Sequence, residues 1–368
     1  SKLQSIVIPE RITVIPDSAF ENSALLTSVT LNEAVTSIGN SAFKGCVSLN
    51  NVVIPASVTS IGDYAFAGCA ALTNDGFVMR NTAAELGTHL FEGCVSLTDV
   101  LPLGTFTDYM YAGTGIVNLT IPENYSLIKD EKTRQPFEGV FANCTKLQSV
   151  TFSGKVADNT VLGNAFFAGC TALTEITIPA GVYALGGIAS QGFQSDALGV
   201  FANCVNLVTV NLPENFYGFG DGCFENCVKL ANINLNINPD MGVRVGDRAF
   251  KNCVAFTNMN FVASAAYMGD EAFMNCTGLV GEIRFVVTAV ERMGARVFAG
   301  CMGITALNFM DCRKGFMAGK SDPNAFAGMD TENLKIYAYS DEGYEGMNRS
   351  GIFDILVREN VFIEGGKK

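Results

Sequence analysis

The 368 residues include no tryptophan and a single histidine, His89. Charge is sparse: 16% of residues carry it, and 24 basic against 36 acidic side chains leave a net charge of −12. So little clustered Lys and Arg argues against nucleic-acid binding, which must neutralise phosphate. No apolar run approaches the ~18 residues of a membrane-spanning helix. The opening Ser1-Lys2-Leu3-Gln4-Ser5-Ile6-Val7-Ile8-Pro9 lacks a cationic n-region, an apolar h-region and a small-residue cleavage site, so the chain reads as soluble. No catalytic residue is assigned. His89, just before Phe91, reads as a loop or corner side chain with no Cys or Ser-Asp partner singled out by sequence. Gly186-Gly187 lacks the strand, spacing and following helix of a phosphate-binding loop, so no cofactor is expected. Carboxylates are scattered, and closely packed coils offer no deep cleft for a glycosidase pair.

What is abundant is apolar: 48% of residues are hydrophobic, 27 of them Phe, which excludes intrinsic disorder. Twelve cysteines are also present, ten of them in one recurring phrase, Phe-x-Gly/Asn-Cys, followed three residues later by an apolar residue and then an alternating run. The phrase starts at Phe43, Phe66, Phe91, Phe141, Phe167, Phe201, Phe224, Phe250, Phe273 and Phe298. Degenerate copies start at Phe20, Tyr111 and Phe326, with Ser23, Thr114 and Met329 in place of Cys. The mean interval is about 25 residues, the signature of a repeat architecture of about thirteen coils.

One unit shows the mechanics. Leu49, Val52 and Ile54 are the buried frame; Val52-Val53-Ile54 alternates as a strand does, and Pro55 ends it because it cannot donate to a ladder. A strand this short must stack edge to edge with its equivalent in the next coil, giving a parallel sheet along the array. Val35 and Ile38 supply a second inward pair before Gly39 turns the chain, and the Gly or Asn preceding each Cys suits a corner needing positive φ. The same frame is expected at Phe250, Cys253, Phe256, Met259 and Phe261, with a strand there.

Phrases such as Val58-Thr-Ser-Ile61-Gly62-Asp-Tyr-Ala65-Phe66-Ala-Gly68-Cys69-Ala-Ala-Leu72 resemble the BspA-like (Treponema pallidum-type) leucine-rich repeats over nearly the whole chain. The resemblance implies an α/β-type right-handed leucine-rich-repeat solenoid, with short parallel strands on one face and extended, 3₁₀ or short helical corners on the other. It also implies an extracellular or cell-surface location on bacteria, a non-enzymatic role in adhesion, and a protein or glycan partner on a host or neighbouring cell.

Two intervals are long. Tyr111 to Phe141 spans 30 residues and carries the charge cluster Lys129-Asp130-Glu131-Lys132-Thr-Arg134; Phe167 to Phe201 spans 34 and adds the apolar, glycine-rich stretch 181–192. Both are expected to bulge as loops, at 122–138 and 179–199, and such loops carry specificity or record neutral drift in length. Leu3, Ile6 and Ile8 match a repeat strand, so the solenoid is expected to run over 1–338 with a truncated first coil. Residues 339–368 read as a C-terminal cap with a short helix and a last strand.

The cysteines of the phrase form one column. Side chains there point in parallel, which disfavours disulfides along it, so each reads as a small buried hydrophobe with a free thiol. Metal is not expected: Cys223 and Cys227 are separated by three residues with no second pair, and zinc needs paired ligands. What remains for function is surface. In each coil the residue between the last two strand hydrophobes faces away from the core, and Thr151, Thr177, Asn211, Asn234, Asn260, Arg284 and Asn308 are the candidate ligand-binding residues of that strip. Thr and Asn also simply tile solvated sheets, Asn by forming amide ladders. A binding module and a rigid spacer whose ligand contact lies elsewhere both fit this pattern.

Overall fold

The computed structural model describes residues 2–123, 125–130, 132–154, 156–187, 198–214, 216–235, 242–286, 290–309, 322, 324–338 and 361–363. The chain is a β-solenoid of about 12 turns with parallel strands. It divides into two compact units, Ser1–Val156 with Ala165–Leu173, and Ala157–Asn164 with Thr174–Lys368.

In the first unit the frame strands Ser5–Val7, Ser28–Thr30, Asn51–Ile54 and Phe77–Met79 form one parallel sheet. Register is one residue per coil, as in Ile6↔Val29↔Val52. Asn118–Ile121 and Ser149–Phe152 pair the same way further along. The second extended piece of each coil is itself a parallel sheet, of strands Val14–Ile15, Ser37–Ile38, Ser60–Ile61 and Glu85–Leu86. In the second unit the corresponding sheet has six strands, Thr160–Leu162, Val182–Leu185, Gly218–Phe219, Val243–Val245, Ala265–Met268 and Arg292–Met293. Its frame strands form two sheets. One is Glu175–Thr177, Thr209–Asn211 and Asn232–Asn234; the other is Gly281–Arg284, Ile304–Phe309, Lys335–Ala338 and Val361–Ile363. That last strand continues the ladder through Ile336↔Val361; the remainder of the expected cap lies outside the described residues.

Even the corners are bonded from coil to coil. Ser18, Phe20 and Asn22 donate their backbone N–H groups to the carbonyls of Asn40, Ala42 and Lys44 at 2.8, 2.8 and 2.7 Å. This requires a left-handed residue two places after each Phe, met by Asn22 (φ 57°), Gly45 (70°) and Gly68 (71°), as the Gly/Asn alternation predicted. A second left-handed position, two places before the Phe or its Tyr replacement, was not foreseen because ordinary residues mostly occupy it: Ser18, Ser41, Tyr64, His89, Tyr109 and Arg248 all have φ between 54° and 57°, beside Gly139 and Gly222 at 61° and 60°. Inside the corner the rings stack. Phe20–Phe43 and Phe43–Phe66 centroids are 5.3 Å apart in the first unit, and Phe201–Phe224 centroids 5.5 Å apart in the second. Such pairs contribute about 0.5–1.5 kcal/mol each beyond their buried area.

Two expectations need correcting, and a third gains its reason. The glycine where the chain turns after the second strand is not left-handed at Gly39 or Gly62. It lets neighbouring coils touch: a Cβ on Gly39 would stand 2.5 Å from the backbone N of Asp17, and one on Gly62 2.6 Å from that of Asn40. The expected strand at Met259–Phe261 is the helix Met259–Ala263, capped by the Asn258 side chain, which accepts from Phe261 N at 3.0 Å. The cause is local. Phe261, Val262 and Ala263 are all buried, an unbroken run that a two-residue period cannot place on one side. Finally, Val182–Leu185 in the second long interval is a strand, paired with Thr160–Leu162 across a bulge, not a flexible loop; residues 188–197 lie outside the described residues.

Because the clash at Gly62 is with backbone, Gly62→Ala is expected to cost about 1–3 kcal/mol. Equilibrium urea unfolding of the variant checks this.

Candidate functional site

Of the seven strip residues, three meet in one ladder. Thr177, Asn211 and Asn234 are register partners on consecutive strands. Asn211 Nδ2 donates to Glu175 Oε1 at 2.9 Å and to Thr177 Oγ1 at 3.2 Å, and Asn234 Nδ2 donates to Asn211 Oδ1 at 2.7 Å. Arg284 and Asn308 are partners on another sheet, where Asn308 Nδ2 donates to Glu282 Oε1 at 2.6 Å. Thr151 is exposed in the first unit beside Thr120. Asn260 is not on a sheet at all: it is exposed on the short helix, for the reason given above. The strip is therefore polar, and the amides of Asn211, Asn234 and Asn308 are bonded to neighbouring polar side chains of the same sheet.

The charged insert at 122–138 is a β-hairpin, Ile128–Asp130 against Gln135–Pro136. At its tip Asp130 Oδ1 accepts the N–H groups of Lys132 (2.8 Å) and Thr133 (3.3 Å), which hold its carboxyl below the usual range. Its base is core: Tyr125, Leu127, Ile128 and Phe137 are buried. The Tyr125 hydroxyl donates to Leu101 O at 2.7 Å and accepts from Leu103 N and Gly104 N at 2.8 and 2.9 Å. One phenol thus satisfies three backbone groups of a stretch that has no strand of its own.

His89 lies at the corner, stacked between Tyr64 (4.3 Å) and Tyr109 (4.7 Å), with Nδ1 3.0 Å from Glu92 Oε2. The eleven described cysteines are buried and free; Cys312 lies outside the described residues. Their thiols do more than fill space. Cys46 and Cys94 donate to the carbonyls of Phe20 and Phe66 in the preceding coil at 3.1 Å, and Cys227 and Cys301 repeat this with Phe201 and Phe273 at 3.1 Å. Burial pushes the thiols up, those of Cys94 and Cys301 to about 12. Among the described residues no group of three or more His, Cys, Asp or Glu side chains is placed to hold a metal.

A further column escaped sequence reasoning. Asp17, Asn40, Asp63, Asp221, Asp247 and Asp270 each accept the backbone N–H of the next coil with one side-chain oxygen, at 2.7–3.0 Å. The signal was present in the recurrence of Gly-Asp or Gly-Asn after the second strand: Gly39-Asn40, Gly62-Asp63, Gly246-Asp247, Gly269-Asp270.

Coils of this make are matched in sequence by the family described as BspA type leucine rich repeat region, in six copies over residues 1–107, 77–196 and 197–336. The chain belongs to that family. Two solved structures similar to this BspA-type chain show the same fold. A leucine-rich repeat protein from Bacteroides ovatus is 22% identical, with a TM-score of 0.62 over 100% of this chain and 92% of that one. Another, from Eubacterium ventriosum, is 19% identical, with a TM-score of 0.53 over 89% and 90%. No curated protein matches the sequence. As in the sequence-based expectation for this BspA-type array, no helix among the described residues is long and apolar enough to cross a membrane.

Tyr125→Phe removes one bond from each of Leu101 O, Leu103 N and Gly104 N, the first two of which stay bonded to each other at 2.8 Å, and is expected to destabilise by about 1 kcal/mol, read from the thermal midpoint. The thiols give a pH dependence. They stay protonated when folded but ionise near 9.0 once exposed, so above that value the unfolded chain binds fewer protons. Stability is expected to fall as pH rises from about 9 to about 12, measured in reductant, and to fall less in Cys94→Thr/Cys301→Thr, which copies Thr114.

Proposed function

We propose that this chain is a non-catalytic binding module, displayed on a bacterial surface or secreted, that engages a host or neighbouring-cell protein or glycan. The observation that carries this reading is the ladder Thr177–Asn211–Asn234, flanked by Glu175: polar side chains fixed on three consecutive strands and open to solvent. A surface held this way loses little freedom when a partner lands on it. The hairpin at 128–136 adds a charged projection anchored in the core. Arg284 and Asn308 extend the contact on their own sheet, the exposed Asn260 adds one from the helix, and Thr151 offers a separate polar contact in the first unit.

One observation favours a second reading, a rigid spacer. Asn211 and Asn234 use their amide groups on each other and on Glu175 and Thr177, as a purely structural ladder does. A screen of the soluble chain against immobilised matrix proteins and glycans separates the two. The binding reading expects at least one saturable ligand whose affinity falls by about tenfold in Asn211→Lys/Asn234→Lys. Binding to no ligand supports the spacer, and unchanged affinity in the variant removes the strip from the contact.

A further inference from the structure

The second sheets of the two units carry the same backbone and opposite side chains. In the second unit, Tyr267 and Arg292 are register partners and face outward. Arg292 Nη1 donates to the Tyr267 hydroxyl at 2.7 Å, Nη2 donates to Asp270 Oδ1 at 2.8 Å, and the guanidinium lies 5.3 Å from the Tyr267 ring centre. Arg244 covers the other side of that ring at 4.2 Å and pairs with Glu291. The carboxylates along this sheet are thus neutralised by the chain's own arginines.

In the first unit the register partners at the same two positions are Val14 and Ser37. Asp17 stands to Ser37 as Asp270 stands to Arg292. Its Oδ1 accepts Asn40 N at 2.7 Å, as Asp270 Oδ1 accepts Ala295 N at 3.0 Å, and Gly39 and Gly294 approach them alike. Only the cation is missing. With Ser37 and Ser60 in place of long side chains, the sheet face opens into a shallow groove of ≈ 420 Å³ running from Val14 and Asp17 to Glu85, with no Lys or Arg in its lining. Among the described residues the second oxygen of Asp17, the Glu85 carboxylate and the hydroxyls of Ser37 and Ser60 have no hydrogen-bond or ion-pair partner. Val14, 48% exposed, offers apolar surface for the stem of a long side chain.

We propose that this groove is a docking site for an arginine side chain carried by an extended partner peptide. The guanidinium takes the place that Arg292 fills in the second unit, bonded to Asp17 and lying against Val14, and a second cation of the peptide meets Glu85. Arginine fits better than lysine because its planar fork can bond a carboxylate and a hydroxyl at once, as Arg292 does. This surface lies on a second sheet and not on the frame strands that carry the strip, and it stands or falls independently of the strip.

The test is fluorescence anisotropy of a labelled dodecapeptide of alternating Arg and Ser, titrated with the full chain at physiological salt. Saturable binding is expected, about tenfold weaker for Asp17→Asn/Glu85→Gln and for Ser37→Arg. Asp17→Asn keeps the backbone acceptor, as Asn40 does in the next coil, and Ser37→Arg copies the arrangement of Arg292, so both variants are expected to fold. If Ser37→Arg does not, the neutralised pair carries the test alone. Glu10→Gln/Glu214→Gln removes the same charge from two exposed sites elsewhere and is expected to change little. Four results overturn the proposal: no saturable binding; unchanged affinity in the groove variants; equal weakening by the control pair, which means attraction to an acidic chain in general; and equal affinity for a dodecapeptide of alternating Lys and Ser, which is expected to bind more weakly.

Discussion

Every coil must meet its neighbour at the spacing of hydrogen-bonded strands, at the corners as well as in the sheets. Most of the sequence follows from that one separation. Glycine follows the second strand because any Cβ would strike the neighbouring backbone, as Gly39 would strike Asp17. The corner takes Gly or Asn after each Phe because only a left-handed turn keeps its N–H groups aimed at the next coil. The aromatic rings stack because a column of identical positions at this pitch leaves them nowhere else to lie. The thiols and the Asp/Asn oxygens complete the same scheme, each bonding a backbone group that the ladders leave over.

A repeat governed so tightly inside is free outside. The outward positions recur at the same pitch in both units, and what occupies them differs: Val14, Ser37 and Ser60 on one second sheet, Arg244, Tyr267 and Arg292 on the other. The chain has in effect two settings of one surface, one satisfied by its own cations and one not. The frame-strand face carries self-bonded amides, and the hairpin adds a charged projection whose base belongs to the core.

Much of the fold was legible because the repeat writes each rule many times. The strand frame, the left-handed Gly/Asn and the free thiols all follow from a phrase that recurs at Phe43, Phe66 and Phe201. Single events were not legible. The helix Met259–Ala263 depends on one unbroken apolar run, and the phrase around it is otherwise regular. Tyr125 sits in an insert, and only the three-dimensional path shows that its hydroxyl serves Leu101, Leu103 and Gly104. The left-handed residues before each Phe were hidden because Ser, Tyr, His and Arg occupy many of them, and glycine marks the place at Gly139 and Gly222 without recurring. As for the site, the ladder at Thr177, Asn211 and Asn234 was readable from alternation, whereas Asp17 and Ser37 acquire meaning only beside Asp270 and Arg292.

The thiol column has a consequence for the life of the molecule outside its folded state. While the coils are stacked, each described sulfur is covered, and those of Cys46, Cys94, Cys227 and Cys301 among others are held to a carbonyl of the coil before. Once a stretch of coils opens, many thiols emerge together at short intervals along one strand of chain, in whatever oxidising medium surrounds it. Cross-linking between mismatched pairs then competes with restacking, so persistence of this protein is governed by how rarely it opens and not by how readily it closes.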